Sequence, residues 1–498
     1  MKKVLLVLAF HILFSSLAYS QLKHDNIWTI GYGQIASSPS GYPYGGIIMD
    51  FSTLPPSLTL QNYIFDRPKA SISDKNGNLV AYTNGCMIVN RNHELMENGD
   101  TLNPGVVFEE FCEDGDYPLW QPCIFLPKPG SDSIYYLFHL RNDDWLWNPM
   151  NLMYSVVDAS GDSGNGIVIS KNNSILTDSI YLGNYVTATR HGNGLDWWVV
   201  TPRRYSNGLH VSLLTTQGVI YKGVQNVSSV VDSSYWGSQT AFSPDGRKYF
   251  RNSREGLLML DFNRCDGVFS NAVYLGWDSF PFGGGGVAVS PNSRFVYLTS
   301  GETVQQYDLS APNFAESMQV VAAYDGTLAP FPANFFQMMP GPDGKIYIIT
   351  SHDNNVLHVI QYPDSLGLAC KVEQHAITLP ARQSYVMINF ANYNLGPLDP
   401  PCDTTGGVGT VSQNLTSRVI QVAPNPTTGM TEVSLPNSEG GLISVYNSGG
   451  QKIKSIAIPP GTPKLSLDLE QNPTGIYAVM AFDAAGKLIG VARVSVLR

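Results

Sequence analysis

Residues 243–250 read Ser-Pro-Asp-Gly-Arg-Lys-Tyr-Phe, and residues 290–297 and 341–348 repeat the same pattern. In each stretch a proline presets the first dihedral angle of a turn, and a following glycine, where present, accepts a positive φ. Alternating aromatic and β-branched residues come next, as in a β-strand. Each stretch therefore predicts a tight turn between two antiparallel strands.

Three degenerate copies lie upstream, at residues 73–80, 127–137 and 191–200. The six copies are spaced by roughly 45 to 65 residues, which suits a four-stranded propeller blade and is too long for a leucine-rich solenoid. A further blade is expected from residues 26–31 and 45–51 as middle strands, with residues 385–390 as their inner partner. The sequence predicts an all-β fold with a seven-bladed β-propeller of WD40-like repeats, and six or eight blades remain open.

Composition and charge restrict the classes of partner. Hydrophobic residues make up 43% of the 498 residues and charged residues 14%, so a packed core is expected throughout. The net charge of −10 argues against nucleic acid and anionic membranes as partners, because both need clustered Lys and Arg.

The first twenty residues have the features of an export signal. Lys2 and Lys3 precede an apolar stretch at residues 4–17 and a small-x-small site at residues 18–20. This pattern predicts a signal peptide at 1–20 and a mature chain that begins at Gln21. No later segment is long and apolar enough to predict a transmembrane helix.

Six cysteines in an exported chain allow up to three disulfide bonds. Cys112 with Cys123 and Cys370 with Cys402 are candidate pairs, which leaves Cys86 and Cys265 as a third pair or as buried thiols. The sequence alone does not decide the pairing.

Several short phrases stand out in the large region, at residues 26–28, 71–74, 77–79, 82–85, 90–93 and 392–398, the last of these before Cys402. These phrases resemble the propeller domains of surface proteins from gliding and type IX-secreting bacteria. The resemblance covers roughly residues 24 to 404 and implies a propeller, but that family has no single agreed activity.

Residues 402–417 are rich in Gly, Thr and Ser and predict a flexible linker. About seven short apolar stretches follow within roughly eighty residues, a pattern typical of a small β-sandwich. We therefore expect four segments: the signal peptide 1–20, a propeller at 21–401, the linker 402–417 and an Ig-like sandwich at 418–498.

The last segment contains a series of turn phrases, which include residues 423–429, 443–447, 449–451, 467–469 and 473–477. With these phrases the segment resembles the type A sorting domain of type IX secretion cargo. The expected sorting-motif residues are Pro424, Asn425, Pro426, Gly429, Gly450, Gly475 and Tyr477. The resemblance implies export to the cell surface or the extracellular space, with the type IX machinery and its sortase-like peptidase as partners.

Common catalytic fingerprints for metalloproteases, serine hydrolases and nucleotide binding are absent from the sequence. Acidic residues at Glu109, Glu110, Glu113, Asp114, Asp116, Asp143 and Asp144 are candidate calcium ligands, but their spacing does not match an EF-hand loop. Beside Trp120, Trp145 and Trp147 they would also suit carbohydrate. The glycines at 283–286 predict close packing of an inner strand.

Three functions are consistent with these observations. The first is a surface binding or adhesion protein whose ligand, a glycan or a protein, is unknown and which needs no cofactor. The second is a secreted hydrolase or lyase acting on polysaccharide. The third is a structural component of the surface machinery. The absence of catalytic fingerprints favours the first.

Overall fold

The computed structural model describes residues 21–36, 43–63, 67, 69–113, 115, 117–142, 149–177, 185–203, 206–227, 239–277, 285–402, 420–435, 440–447, 452–484 and 488–497. The chain divides into two compact units, Met1–Thr404 and Thr405–Arg498. The expected signal peptide and residues 403–417 of the expected linker lie outside the described residues.

The described part of the large unit forms seven antiparallel sheets, numbered 1 to 7 in chain order, and within each sheet the strands follow one another along the chain. Sheet 1 contains Ile27–Ala36 (β1), Tyr44–Asp50 (β2) and Ser57–Gln61 (β3); sheet 2 contains Ala70–Ser73 (β4), Leu79–Thr83 (β5) and Ile88–Asn90 (β6). Sheet 3 contains Cys123–Pro127 (β7), Ile134–Asn142 (β8), Pro149–Asp158 (β9) and Ile167–Thr177 (β10). Sheet 4 contains Thr187–Arg190 (β11), Trp197–Pro202 (β12), Gly208–Thr215 (β13) and Gly218–Asn226 (β14).

The remaining three sheets also have four strands each. Sheet 5 contains Gln239–Phe242 (β15), Lys248–Asn252 (β16), Gly256–Phe262 (β17) and Phe269–Gly276 (β18). Sheet 6 contains Val287–Val289 (β19), Phe295–Thr299 (β20), Thr303–Asp308 (β21) and Gln319–Ala323 (β22). Sheet 7 contains Met338–Pro340 (β23), Ile346–Ile348 (β24), Val356–Ile360 (β25) and Val372–Thr378 (β26). One helix, Val106–Phe111 (α1), and short 3-10 turns at Asp162–Gly164, Ala315–Ser317 and Gly367–Cys370 lie between strands.

The six repeated phrases all fall at one structural position, the turn between the first and second strands of sheets 2 to 7. The turn chemistry also repeats. The hydroxyl of Ser243 accepts a hydrogen bond from the Lys248 N–H at 3.0 Å, and the hydroxyl of Ser290 accepts one from the Phe295 N–H at 2.8 Å. The predicted strand-turn-strand units are confirmed.

The first strands of the sheets lie together at the centre of the unit. Strands β7, β11 and β19 are buried along their whole length, whereas β14 and β18, each the fourth strand of its sheet, are mostly exposed. Successive first strands contact one another from β1 through β4 to β7 and from β11 through β15 and β19 to β23. A bridge between Gln121 and Tyr185 joins the starts of β7 and β11.

Sheet 1 packs against sheet 7, so the succession of sheets returns to its beginning. Trp28, Ile47 and Met49 of sheet 1 share one apolar cluster with Met339 and Tyr347 of sheet 7. The ring centroids of Trp28 and Tyr347 are 5.3 Å apart. All seven described sheets therefore surround a common centre.

Close approach at that centre requires the glycines before β19. A Cβ atom on Gly286 would lie 2.5 Å from the Phe336 carbonyl oxygen, and one on Gly285 would overlap the Thr299 carbonyl oxygen. The predicted close packing is confirmed for these two positions, and Gly283 and Gly284 lie outside the described residues.

The expected assembly of the seventh blade is wrong. Strand β1 is itself the first strand of sheet 1, and residues 385–390 form no strand. The Met387 N–H donates to the Gln337 side chain and the Asn389 N–H donates to the Lys69 carbonyl oxygen. Because these bonds go to different sheets, the segment cannot complete a strand ladder.

The candidate disulfide pairs Cys112–Cys123 and Cys370–Cys402 are also wrong. The bonds are Cys86–Cys112 and Cys265–Cys402. Cys123 and Cys370 are buried thiols, and burial raises the pKa of both. The candidate pairs were chosen by their positions along the chain. A disulfide bond instead requires that the two side chains lie close together in the fold.

The described residues of the small unit form two antiparallel sheets. One contains Gln421–Ala423 (β27), Met430–Ser434 (β28) and Lys464–Asp468 (β31), and the other contains Gly441–Tyr446 (β29), Lys452–Ile458 (β30), Gly475–Asp483 (β32) and Leu488–Val496 (β33). Val433 and Leu467 of the first sheet share a core with Ile443, Val479 and Val494 of the second. The two sheets therefore bury one apolar face each against the other.

Candidate functional site

The centre of the large unit is occupied by the chain itself. Residues 381–398, which we call the axial segment, follow β26 and contain no strand. Val386, Met387, Ile388 and Tyr393 in this segment are buried. Its hydrogen bonds go to the first strands of several sheets, so the axial segment is not a strand of any one sheet.

Asn389 marks the point where the axial segment meets most sheets. Its Nδ2 donates to the carbonyl oxygens of Cys123 at 2.9 Å and of Val186 at 2.8 Å. Its Oδ1 accepts a hydrogen bond of 2.9 Å from Nε2 of Gln121, which also donates to the Thr240 carbonyl oxygen at 3.1 Å. One fully hydrogen-bonded amide thus connects the inner edges of sheets 3, 4 and 5.

Two more glutamines make similar contacts, one between the first strands of sheets 6 and 7 and one to the axial segment. Gln239 accepts from the Val287 N–H at 3.1 Å and from the Met338 N–H at 3.0 Å. Gln337 accepts the Met387 N–H at 2.8 Å. The sequence reasoning missed these residues, although a signal exists: Gln239 and Gln337 each lie four residues before a repeated turn phrase, at Ser243 and Gly341.

Lys69 holds the beginning of the axial segment. Its Nζ donates to the Ser384 Oγ at 2.5 Å and to the Val386 carbonyl oxygen at 3.1 Å. A lysine paired with a serine also occurs where a serine acts as a nucleophile. Lys69 is only 2% exposed and Ser384 is fully buried, so a substrate cannot reach the hydroxyl and the pair is structural.

Contacts to sheets 3, 4 and 5 hold the end of the axial segment. The Tyr393 hydroxyl donates to the Phe125 carbonyl oxygen at 2.8 Å, and burial raises the pKa of Tyr393. Arg264 Nη2 donates to the Gly396 carbonyl oxygen at 2.6 Å, and the Leu398 N–H donates to the Gly192 carbonyl oxygen at 2.9 Å. Four residues beyond Leu398, Cys402 forms its disulfide with Cys265.

A cavity of about 480 Å³ lies beside this end, and it contains charges of both signs. Its lining residues are Asp245, Arg247, Lys248, Asp261, Phe262, Asn263, Arg264 and Leu398. Asp261 accepts from Lys248 at 2.6 Å and from Asn271 at 2.8 Å. Burial raises the pKa of Asp261, but these two hydrogen bonds outweigh that effect, so the pKa lies below its ordinary value. Asp261 is therefore a poor proton donor.

The structure does not assemble the predicted acidic and aromatic site in the part of the chain that it describes. Glu109, Glu110 and Glu113 are exposed, on or just after α1. Trp120 packs with Phe336 and Tyr385, at ring distances of 6.1 and 5.2 Å. Among the described residues, no three His, Cys, Asp or Glu side chains come together as metal ligands. Four further acidic positions (Asp114, Asp116, Asp143 and Asp144) and two tryptophans (Trp145 and Trp147) lie outside the described residues.

Three large apolar side chains project from the loop between β25 and β26. Tyr362, Leu366 and Leu368 are 59%, 51% and 77% exposed, and we call residues 362–370 the apolar loop. Buried polar groups fix its backbone: Tyr297 donates to the Pro363 carbonyl oxygen at 2.7 Å, and Gln306 exchanges hydrogen bonds with Ser365 and Gly367 at 2.7 Å each. The side chains are thus presented to solvent on a fixed backbone.

In the small unit, Asn425 joins the predicted motif to the last strand. Its Nδ2 donates to the Arg493 carbonyl oxygen at 2.7 Å, and its Oδ1 accepts the Ser495 N–H at 2.9 Å. The next ladder bonds run between backbones: the Thr427 N–H to Ser495 at 2.8 Å, and the Leu497 N–H to Thr427 at 2.9 Å. The motif therefore continues the sheet along the edge of β33.

The other predicted motif residues have separate roles. A Cβ on Gly429 would lie 3.1 Å from the Glu470 Cα, so glycine permits close packing there. The Tyr477 hydroxyl donates to the Pro473 carbonyl oxygen at 2.7 Å. A Cβ on Gly475 would meet its nearest atom at 3.9 Å, so space does not require that glycine. Gly450 lies outside the described residues.

A protein-family model described as a secretion system C-terminal sorting domain matches residues 421–490. Residues 421–490 are a type IX secretion sorting domain. The domain spans the motif at Asn425 and most of both sheets of the small unit. No curated protein sequence matches the chain.

Several solved structures are similar to the chain at low identity. A provisionally assigned 6-phosphogluconolactonase from Bacteroides fragilis is 13% identical, with 72% of this chain and 97% of that chain covered and a TM-score of 0.42. A functionally unknown protein from Desulfotomaculum acetoxidans is 15% identical, with coverage of 73% and 99% and a TM-score of 0.42. The extracellular domain of a provisionally assigned one-component system from B. thetaiotaomicron is 9% identical, with coverage of 94% and 56% and a TM-score of 0.36. At these scores nothing about activity is transferred.

The sorting domain determines where the protein goes. A domain of this family implies interaction with the type IX secretion machinery, and the chain is secreted to the cell surface or the extracellular space. No helix within the described residues is long and apolar enough to cross a bilayer.

Thr427 and Ser495, which carry the ladder between the motif and β33, were not among the predicted motif residues.

Proposed function

We propose that the protein is a seven-bladed β-propeller that acts as a binding or adhesion protein at the cell surface. The seven sheets around a common centre in the described residues support seven blades, and the two layers of the small unit support an Ig-like sandwich. The proposed boundaries are a propeller at 21–401, a linker at 402–417 and the sorting domain at 418–498, after removal of a signal peptide at 1–20. The sortase-like peptidase of the secretion system is the proposed partner that removes the sorting domain.

The observation that carries the binding proposal is the apolar loop. Isolated exposed apolar residues are common, but three large ones on one short, rigid loop are a feature of interaction sites. A fixed backbone also loses little conformational entropy on binding. The axial segment fills the centre of the propeller, so a ligand is expected to bind on the outer surface.

The chemistry of the apolar loop favours a protein as the ligand. Leu366 and Leu368 carry no group that can hydrogen-bond a sugar hydroxyl, and their burial in an apolar pocket is favourable by about 1.5–3 kcal/mol each. Tyr362 adds an aromatic side chain with a polar end, a type enriched at the centres of protein interfaces.

An array of immobilised extracellular-matrix proteins and bacterial polysaccharides tests this proposal. We expect the mature protein to bind a protein probe, and the double variant Leu366→Ser/Leu368→Ser to bind it at least about 10-fold more weakly. Leu195→Ser is the matched control. Leu195 is 54% exposed, much like Leu366, but it lies outside the apolar loop, in the turn between β11 and β12. Binding to no probe, or equal loss in the control, would refute the proposed site.

A secreted polysaccharide hydrolase or lyase is the second candidate, because the cavity near Leu398 contains the carboxylates of Asp245 and Asp261. Paired carboxylates are the catalytic groups of most glycosidases. The low pKa of Asp261 favours binding over acid catalysis. Hydrolysis of a polysaccharide panel that disappears in Asp245→Asn and Asp261→Asn would instead support this candidate.

A further inference from the structure

The disulfide Cys265–Cys402 lies where the large unit ends. Cys402 is two residues before the boundary between the units, and it follows the axial segment directly. Its partner Cys265 lies in the turn between β17 and β18, and the bond closes a loop of 137 residues. A force applied to the chain beyond Cys402 therefore reaches this disulfide before it reaches the axial segment.

We propose that Cys265–Cys402 is a mechanical latch, which prevents a pull on the sorting domain from drawing the axial segment out of the propeller. The proposal rests on the proposed function in one respect: it takes the sorting domain to be the part on which the export machinery acts. The latch is a property of the folded chain and does not depend on the ligand of the propeller.

With the latch closed, tension passes from Cys402 into Cys265 and the surrounding strands. The Cys265 carbonyl oxygen is hydrogen-bonded to Nε2 of His191 at 2.9 Å, and the Arg264 carbonyl oxygen accepts the Gly192 N–H at 2.8 Å. His191 and Gly192 follow strand β11 of sheet 4, and Cys265 follows strand β17 of sheet 5. The force therefore enters turns that are bonded to each other and that belong to two sheets.

With the latch open, the same tension would run backwards along the chain. It would meet single contacts one after another: Leu398 with Gly192, Gly396 with Arg264, and Asn394 with Leu22, whose two hydrogen bonds measure 2.6 and 3.0 Å. Bonds loaded in sequence break one at a time, whereas the bonds of a sheet resist together. Release would continue to Tyr393 and Asn389 and expose the centre of the propeller.

The second disulfide supplies a control. Cys86–Cys112 closes a loop of only 26 residues between β5 and the end of α1, far along the chain from the axial segment. Removing it leaves the path between Cys402 and the axial segment unchanged. The variant Cys86→Ala/Cys112→Ala therefore isolates the effect of Cys265–Cys402.

Pulling single molecules in an optical trap tests the latch. The mature chain with the Cys86→Ala/Cys112→Ala change is held by handles at its two termini and stretched first without and then with a reducing agent. Without reductant we expect no early step from the large unit. After reduction in place, an early step of up to about 60 Å should precede unfolding of the propeller, from the 18 residues at positions 385–402, at about 3.3–3.6 Å each.

Reduction after folding keeps the test independent of whether a variant without the latch can fold. The variant Cys265→Ala/Cys402→Ala, where it folds, should show the early step without reductant. The proposal is overturned when reduction produces no early step, or when the oxidised chain shows the same step. Failure of a tail-less chain to show an export defect would refute the proposed route and leave the force result standing.

Discussion

Replacement of Asn389 by alanine removes the amide that joins three sheets at the centre of the large unit. It deletes the donors to the Cys123 and Val186 carbonyl oxygens and the acceptor for Gln121, which keeps its bond to Thr240. Each buried group left without a partner costs about 1–3 kcal/mol, and two carbonyl oxygens lose theirs. We expect the free energy of unfolding to fall by about 3–5 kcal/mol.

Urea unfolding of the mature chain, followed by tryptophan fluorescence, measures this change as a lower midpoint with an unchanged slope. Asn392→Ala is the control, because Asn392 is exposed, so water can replace its two side-chain bonds: it donates to the Pro244 carbonyl oxygen at 2.7 Å and accepts the Asn394 N–H at 3.1 Å. We expect that variant to lose no more than about 1 kcal/mol. Asn389→Asp should be at least as damaging as the alanine change at neutral pH, because the carboxylate oxygen that replaces Nδ2 would face the carbonyl oxygens of Cys123 and Val186.

A result in which Asn389→Ala and Asn392→Ala unfold at the same urea concentration would refute this reasoning. It would mean that the axial segment contributes little to the stability of the propeller. The hydrogen bonds of Asn389 would then be a consequence of the fold and not one of its causes.

Three further predictions concern other parts of the chain. Burial raises the pKa of Asp25 to about 6, and its Oδ1 is shielded from solvent and has no hydrogen-bond partner among the residues that the structure describes. The folded state therefore favours the protonated form of Asp25, and the free energy of unfolding falls as pH rises from about 4 through 6. In thermal melts, Asp25→Asn should raise the free energy of unfolding by about 2–3 kcal/mol at pH 8 and change it little at pH 4. Gly286→Ala should destabilise the propeller by more than about 2 kcal/mol in urea, since its Cβ would press on the Phe336 carbonyl oxygen, and an unchanged midpoint would contradict the close packing. Asn425→Ala should lower the stability of the sorting domain by about 1–2 kcal/mol and reduce the exported fraction, which immunoblotting of cell fractions measures. The control is Met430→Ala, because the Met430 side chain is exposed. Equal export of both variants would count against the motif geometry.

Local patterns predicted the parts of this fold that local chemistry determines. The turn phrases at residues 243–250, 290–297 and 341–348 specify their own backbone, so both the turns and their spacing were readable from the sequence. The sorting motif was readable from the sequence only as a resemblance, because its contacts are not local. Asn425 bonds to Arg493 and Ser495 of the last strand, and Gly429 packs against Glu470.

The axial segment and the disulfides depend on contacts between distant parts of the chain. Residues 385–390 are an almost continuous apolar stretch, as in a buried strand, but their backbone N–H groups bond to Gln337 and Lys69, which are far apart along the chain. Cys265 and Cys402 are 137 residues apart, so no local rule pairs them. The interior glutamines are ambiguous by themselves, because a glutamine at the start of a strand is more often exposed than buried.

The role of the sorting domain in export can be measured directly in cells. Cell fractionation with intact-mass analysis should compare the native protein with a chain that ends at Thr416, both expressed in a host that has type IX secretion. We predict that the native protein reaches the cell surface or the medium, while the shortened chain stays in the periplasm with a folded propeller. Arrival of the shortened chain at the surface in equal amount would contradict the account.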